Sequence, residues 1–250
     1  MVCLGVAASA GNAYGHLKHA DFTIGVGSDL GSANFVPDAN DWSSDAYVED
    51  GKTYITFTYI LPAPVTYYVN GHNGDPNYEI GAIESLRVDV DQDPAVSVNF
   101  VTRAGAAATT FSFPNWLDTT LYNAQAQASA SITTTDRNGN GTIMTGKFPG
   151  AKVYEARYNS PATHFAYLVD SGNSNPNLSY SDNEDTGTAF TPLNTTVTRM
   201  EAEYWFAVSA RDNASGTSNF QMIGTVPEPS GLLVLAAGLV PMLGIFRRRR

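Results

Sequence analysis

Thr195-Thr196-Val197-Thr198-Arg199-Met200-Glu201-Ala202-Glu203-Tyr204-Trp205-Phe206-Ala207-Val208-Ser209-Ala210 reads as one long strand. Successive side chains of a strand point to opposite faces, so Met200, Ala202, Tyr204, Phe206 and Val208 form one apolar row and Glu201, Glu203 and Trp205 form the other. So apolar a row belongs in a core.

The same alternation recurs outward from this stretch. Over 53–61, Ile55, Phe57 and Tyr59 share one face while Thr56 and Thr58 share the other, and Pro62 and Pro64 end the run. Similar spacing predicts strands over 21–27, 65–69, 78–90 and 95–102, with turns at Asn70-Gly71, Asn73-Gly74 and Asp91-Gln92-Asp93-Pro94. Two further strands are expected over 109–113 and 125–135, separated by a helical turn over 114–118. Residues 152–158 and 163–170 pair as a hairpin across Asn159-Ser160-Pro161, and 220–226 forms the last strand. Stretches 28–40 and 171–187 read as loops, the second because it has almost no apolar content. The expected fold is all-β, an antiparallel β-sandwich or jelly-roll-like body over 20–225. Two smaller sandwiches meeting near 109–118 are the alternative.

Charged residues make up only 15% of the chain, and the formal net charge is -10. Removing the four terminal arginines takes it to -14, because every acidic residue lies at or before Glu228. Such a body repels nucleic acid and anionic lipid and attracts divalent cations. Residues 1–15 read as a signal peptide with small-x-small cleavage patterns at Ala8-Ser9-Ala10 and Ala13-Tyr14-Gly15. It carries no positive charge before its apolar part, so its n-region reads as truncated. Cys3, the single cysteine, lies within it, and a mature chain without it has no thiol for catalysis, metal binding or disulfides.

Residues 226–250 differ in kind from the body. Val226-Pro227-Glu228-Pro229-Ser230 precedes an uncharged apolar run over 231–246, and Arg247, Arg248, Arg249 and Arg250 follow it. As a helix the run is roughly 24 Å long, just enough for a single crossing of a thin membrane, and four arginines after it favour the cytoplasmic side. The body is then expected outside the cytosol. The order Pro-Glu-Pro, short apolar helix, arginine cluster resembles the PEP-CTERM sorting signal of Gram-negative bacteria. The resemblance covers about a tenth of the chain. It implies that an exosortase recognises Pro227, Glu228 and Pro229 and removes the helix and arginines. It further implies an exported protein of the cell surface or extracellular matrix, associated with exopolysaccharide and biofilm.

Within the body, Asp136-Arg137-Asn138-Gly139-Asn140-Gly141-Thr142-Ile143 matches the first eight positions of an EF-hand-like calcium loop. Asp136, Asn138 and Asn140 would offer side-chain oxygens and Thr142 a carbonyl. Lys147 stands where the loop needs a bidentate glutamate, and Asn-Gly-Asn-Gly is equally a hairpin turn, so both readings are open. Asp89, Asp91 and Asp93 share one face of an extended segment and either gather a cation or are solvated. Asp182, Glu184 and Asp185 carry the same two readings. His16, His19, His72 and His164 are the only imidazoles, too scattered to make a zinc site the expectation. Trp42, Tyr67, Tyr68 and Trp116 lie near expected loops, where they would stack on sugar rings or pack into the sheets.

For catalysis, Glu201 and Glu203 share a strand face, the carboxylate pairing a glycosidase needs. There is no Gly-x-Ser-x-Gly elbow and no phosphate-cradling glycine loop. The sequence therefore reads as a non-enzymatic exported surface or matrix protein with no required cofactor. The alternatives are a calcium-dependent or glycan-binding adhesion module and a glycan-active enzyme using Glu201 and Glu203.

Overall fold

The computed structural model describes residues 22–49, 52–69 and 78–225. The expected signal segment 1–15 and the sorting segment 226–250 lie outside the described residues, as do His16, His19 and His72. In chain order the strands begin with β1 (Ile24–Ser28), β2 (Gly31–Phe35), β3 (Trp42–Glu49), β4 (Lys52–Ile60) and β5 (Val65–Val69). They continue with β6 (Tyr78–Asp91), β7 (Ala95–Ala104), β8 (Thr109–Thr135), β9 (Ile143–Gly146), β10 (Lys152–Tyr158) and β11 (His164–Asp170). The last five are β12 (Gly172–Asn173), β13 (Ser179–Asp185), β14 (Thr191–Pro192), β15 (Val197–Val208) and β16 (Asn213–Thr225). The described helical structure is confined to two single 3-10 turns, and the pairings are antiparallel.

β8 holds the architecture together. Its first half pairs with β15 from Thr109 to Leu121, and its second half pairs with β16 from Tyr122 to Thr135. The first sheet runs β11-β10-β15-β8 and carries β1, β2, β9 and β12. The second runs β8-β16-β7-β6-β4-β3 and carries β5, β13 and β14. At the crossover Asn123 takes a left-handed backbone, with φ 50°, a conformation asparagine accepts more readily than most residues. The all-β, sandwich-like body is thus one covalently continuous strand shared by two facing sheets.

One hydrophobic cluster fills the space between the sheets. Phe100 of β7 stacks on Phe113 of β8 at 4.6 Å and meets Tyr204 of β15 edge-on at 4.9 Å and Phe206 at 5.5 Å. Phe165 of β11 stacks across the core on Phe220 of β16 at 5.7 Å. The Tyr204 hydroxyl donates across the core to the carbonyl of Ser131, at 2.9 Å, and to that of Thr217. The expected apolar row of β15 is buried as the alternation required.

Three expectations about local structure are corrected. The helical turn over 114–118 is continuous strand, for Pro114 lies just beyond the last residue that β1 pairs, where one side of β8 is free and a missing N–H is tolerated. The loops at 28–40 and 171–187 contain strands. β2 folds back on β1, and β13 pairs with residues 129–135 of β8. β13 is polar on both faces, and its apolar support comes from the strand it lies against.

Asn115 explains part of the misreading of β8, because it is a polar residue in a core row. It is fully buried opposite Ala202, and neither its Oδ1 nor its Nδ2 finds a hydrogen-bond partner. A buried amide without partners costs its desolvation energy. Asn115→Val, smooth in shape and suited to a strand, is expected to raise the unfolding free energy by roughly 1–2 kcal/mol. A urea-denaturation midpoint that moves upward without a change in slope is the expected readout.

Candidate functional site

The outward row of β15 meets its neighbours through register. Glu203 lies opposite Glu155 of β10, Glu201 opposite Arg157, and in β11 Tyr167 and His164 lie opposite Glu155 and Arg157. Six polar or charged side chains from three strands therefore converge on one patch of the first sheet's outer face. Arg157 is its centre. Its Nη1 lies 2.6 Å from Glu155 Oε2, and its Nη2 contacts Glu201 Oε1 and lies 3.4 Å from Glu203 Oε2. His164 Nδ1 contacts the other oxygen of Glu155, and Ser112 Oγ donates to Glu203 Oε1 at 2.9 Å. Arg199 closes one side, 3.9 Å from Glu201 and 4.6 Å above the ring of Trp116.

Although this is an outer face, Glu155 is 2% exposed and Glu201 8% exposed. Three carboxylates thus share one central guanidinium away from bulk water. Burial pushes the Glu203 carboxyl above its ordinary range, and Glu201 and Glu155 add to the rise, while Ser112 and Arg157 oppose it. Burial acts against the charge on Arg157, and the three glutamates overcome it and hold the guanidinium firmly protonated. A carboxyl of raised pKa beside a second carboxyl is a pairing that acid and base work can use. A cleft of about 160 Å³ borders Glu201, Arg199 and the Tyr158–Pro161 turn, and Glu203 is not among its lining residues.

No protein-family model matches the chain, and a search of the curated proteins finds no match.

The calcium candidates are brought together as a turn. Asp136 Oδ1 accepts the N–H groups of Asn138 at 3.0 Å and Gly139 at 2.8 Å, and Oδ2 accepts those of Gly141 at 2.8 Å and Asn177 at 2.6 Å. Desolvation pushes this carboxyl upward, and the four donors outweigh it and hold it below its usual range. Asn138 accepts from Asn140 N–H and donates to the Ala210 carbonyl, and the Thr142 carbonyl accepts Ser174 N–H. N–H groups surround the oxygens that a cation would need.

The aspartate row is similarly engaged. Thr58 and Arg87 donate to Asp89, and Tyr47, Thr56 and Asp93 N–H donate to Asp91. In the polar stretch, Asp182 and Glu184 gather with Asp170, their carboxylates within 4.8 Å of one another, while Asp185 is exposed on the opposite face. Lys152 supplies the positive charge there, its Nζ 2.7 Å from Glu184 and 3.0 Å from Asp170. Of the aromatic candidates, Trp42 packs on Tyr59 at 5.6 Å and Trp116 lies under Arg199, while Tyr68 is exposed. Sequence reading placed Glu201 and Glu203 on one face and missed Arg157, Glu155 and His164, which only strand register brings to them.

Proposed function

We propose that this chain is an exported, exosortase-processed protein of the cell surface or extracellular matrix of a Gram-negative bacterium, without catalytic activity. Its body is a jelly-roll-like sandwich, and a single helix over 231–246 anchors it to the membrane before processing. The observation that carries the reading is the ordered tail, Pro227-Glu228-Pro229, an uncharged apolar run and Arg247 to Arg250. β16 ends at Thr225, so a single residue separates the folded body from the sorting motif. A body at -14 without those arginines, and without a cysteine beyond Cys3, suits an exported compartment. The non-catalytic part of the proposal is supported by the engagement of Glu201 and Glu203, which share Arg157, and by the cleft beside Glu201, which Glu203 does not line.

Expression in a Gram-negative host with and without an exosortase tests the proposal. The expected result is release of the body from the membrane only when the exosortase is present, and retention of a Glu228→Ala variant in the membrane. A soluble cytosolic protein in both strains would overturn it.

Calcium-dependent adhesion makes a separate, measurable claim. Because N–H donors occupy Asp136 and hydroxyl, guanidinium and N–H donors occupy Asp89 and Asp91, the melting midpoint is expected to be the same in millimolar calcium and in chelator. An upward shift with calcium, at the roughly 2–4 °C expected for about 1 kcal/mol in a chain of this size, would revive that reading.

A further inference from the structure

We infer that a cleft at the end of β6 and β7 binds an anionic saccharide through Arg137 and Arg211. The cleft is about 680 Å³ and is bordered by Glu79, Glu84, Arg103, Gly105, Arg137 and Arg211. That volume falls in the range of sites for small ligands. The inference stands apart from the export reading and does not depend on it.

Ion pairing singles out the two arginines. Arg87, Arg103, Lys152, Arg157 and Arg199 all pair with carboxylates. Among the described residues Arg137, Lys147 and Arg211 form no ion pair, although acidic residues outnumber basic ones by 24 to 14 in the chain. Two of these three cations border the same cleft.

Their backbones are held on one frame. The buried Asp212 accepts Arg137 N–H through Oδ1 at 3.2 Å, and its carbonyl accepts Ala104 N–H at 2.8 Å. Arg211 N–H donates to the Gly105 carbonyl at 2.8 Å, and Asn138 Nδ2 donates to the Ala210 carbonyl at 2.8 Å. Gly105 permits this closeness, because a Cβ there would lie 2.2 Å from the Glu79 carbonyl oxygen. Arg211 itself sits at φ 65°, a left-handed conformation that glycine or asparagine adopts more easily.

The lining specifies the ligand. Two guanidinium forks suit a planar or tetrahedral oxyanion, carboxylate or sulfate. On the other wall Arg103 contacts one oxygen each of Glu79, at 2.6 Å, and Glu84, at 2.8 Å, so each glutamate keeps a second oxygen that only accepts. A hydroxyl matches that oxygen, whereas an ammonium would meet the Arg103 charge. Among the described residues no aromatic ring borders the cleft, which disfavours stacking on a nucleobase. An oxyanion and hydroxyls on one small ring describe an acidic sugar residue.

Calorimetric titration of the full chain with a galacturonate trisaccharide, a sulfated trisaccharide, a neutral trisaccharide and inorganic sulfate tests this. At least one charged trisaccharide is expected to bind, with neutral sugar and inorganic sulfate weaker by about tenfold or more. Arg137→Ala with Arg211→Asn should weaken binding at least about tenfold, while Lys147→Ala, which removes a cation outside the cleft, leaves it unchanged. The single variants Arg137→Gln and Arg211→Asn give the same reading should the double variant fold poorly. Absence of binding by both charged trisaccharides, equal loss in Lys147→Ala, or equally tight inorganic sulfate would overturn the inference.

Discussion

Phe100→Ala is expected to lower the unfolding free energy by roughly 3–5 kcal/mol, much of the stability of a typical domain. Phe100 is fully buried at the centre of the ring cluster, with Phe113, Tyr204 and Phe206 around it. Truncation removes the transfer energy of the ring and leaves a void. The void has little means of closing. Both sheets are tied to the continuous β8, and Tyr204 donates across the core to backbone carbonyls of Ser131 and Thr217. Gly216 already lies against the ring, where a Cβ would approach Phe100 Cζ to 2.7 Å, so β16 is close to its limit of approach. Phe100→Leu, which keeps most of the volume, should cost less than half as much. Urea denaturation of the three proteins measures both effects, and a Phe100→Ala loss below about 1 kcal/mol would mean that the sheets are not joined through this residue.

Arg157→Met is expected to cost roughly 3–5 kcal/mol at neutral pH. The substitution keeps a long apolar stem and deletes the central charge that Glu155, Glu201 and Glu203 share. Acid should restore much of the loss. Glu203 already has a folded pKa above its ordinary value of 4.5. A carboxyl of that kind binds more protons folded than unfolded between the two values, so its contribution to stability is complete below 4.5 and falls as pH rises through the folded value. Without Arg157 the repulsion grows and the same slope steepens. The difference in midpoint between wild type and Arg157→Met should therefore be largest near pH 7 and shrink as pH is lowered toward 4.5. A loss independent of pH would assign the effect to lost packing instead of charge.

Which strands could be read in advance follows from what their side chains face. β4, β6, β7 and β15 each bury one row against the core, so their alternation is written in Tyr59, Val88, Val98 and Tyr204. β3 escaped notice because six of its eight residues are exposed, so no buried row imposes an alternation on it. β13 escaped because its half-buried row is Tyr180, Asp182 and Glu184, whose burial is supported by pairing and by Lys152 instead of by hydrophobicity. β8 was divided by Pro114 and Asn115, a breaker and an unsatisfied polar residue inside one strand.

Sites follow the same logic at longer range. That Glu201 and Glu203 share a face is a local property of a strand, visible in spacing. That Arg157 stands between them is a property of register, fixed by the pairing of β10 with β15. Arg137 and Arg211 lie on separate loops, and only the bond from Arg137 N–H to Asp212 and that from Arg211 N–H to Gly105 bring them to one cleft. Asp136 illustrates the opposite case. Its spacing fits a calcium loop, and the same oxygens serve equally well as acceptors for the turn's own N–H groups.

The most direct test of the proposed role is the mass of the mature chain recovered from the envelope of cells that contain an exosortase. The proposal predicts a C-terminus at or close to Pro227-Glu228-Pro229, with the peptide bearing Arg247 to Arg250 missing from the released protein. An intact chain in the cytosol, still ending in the four arginines, would contradict it.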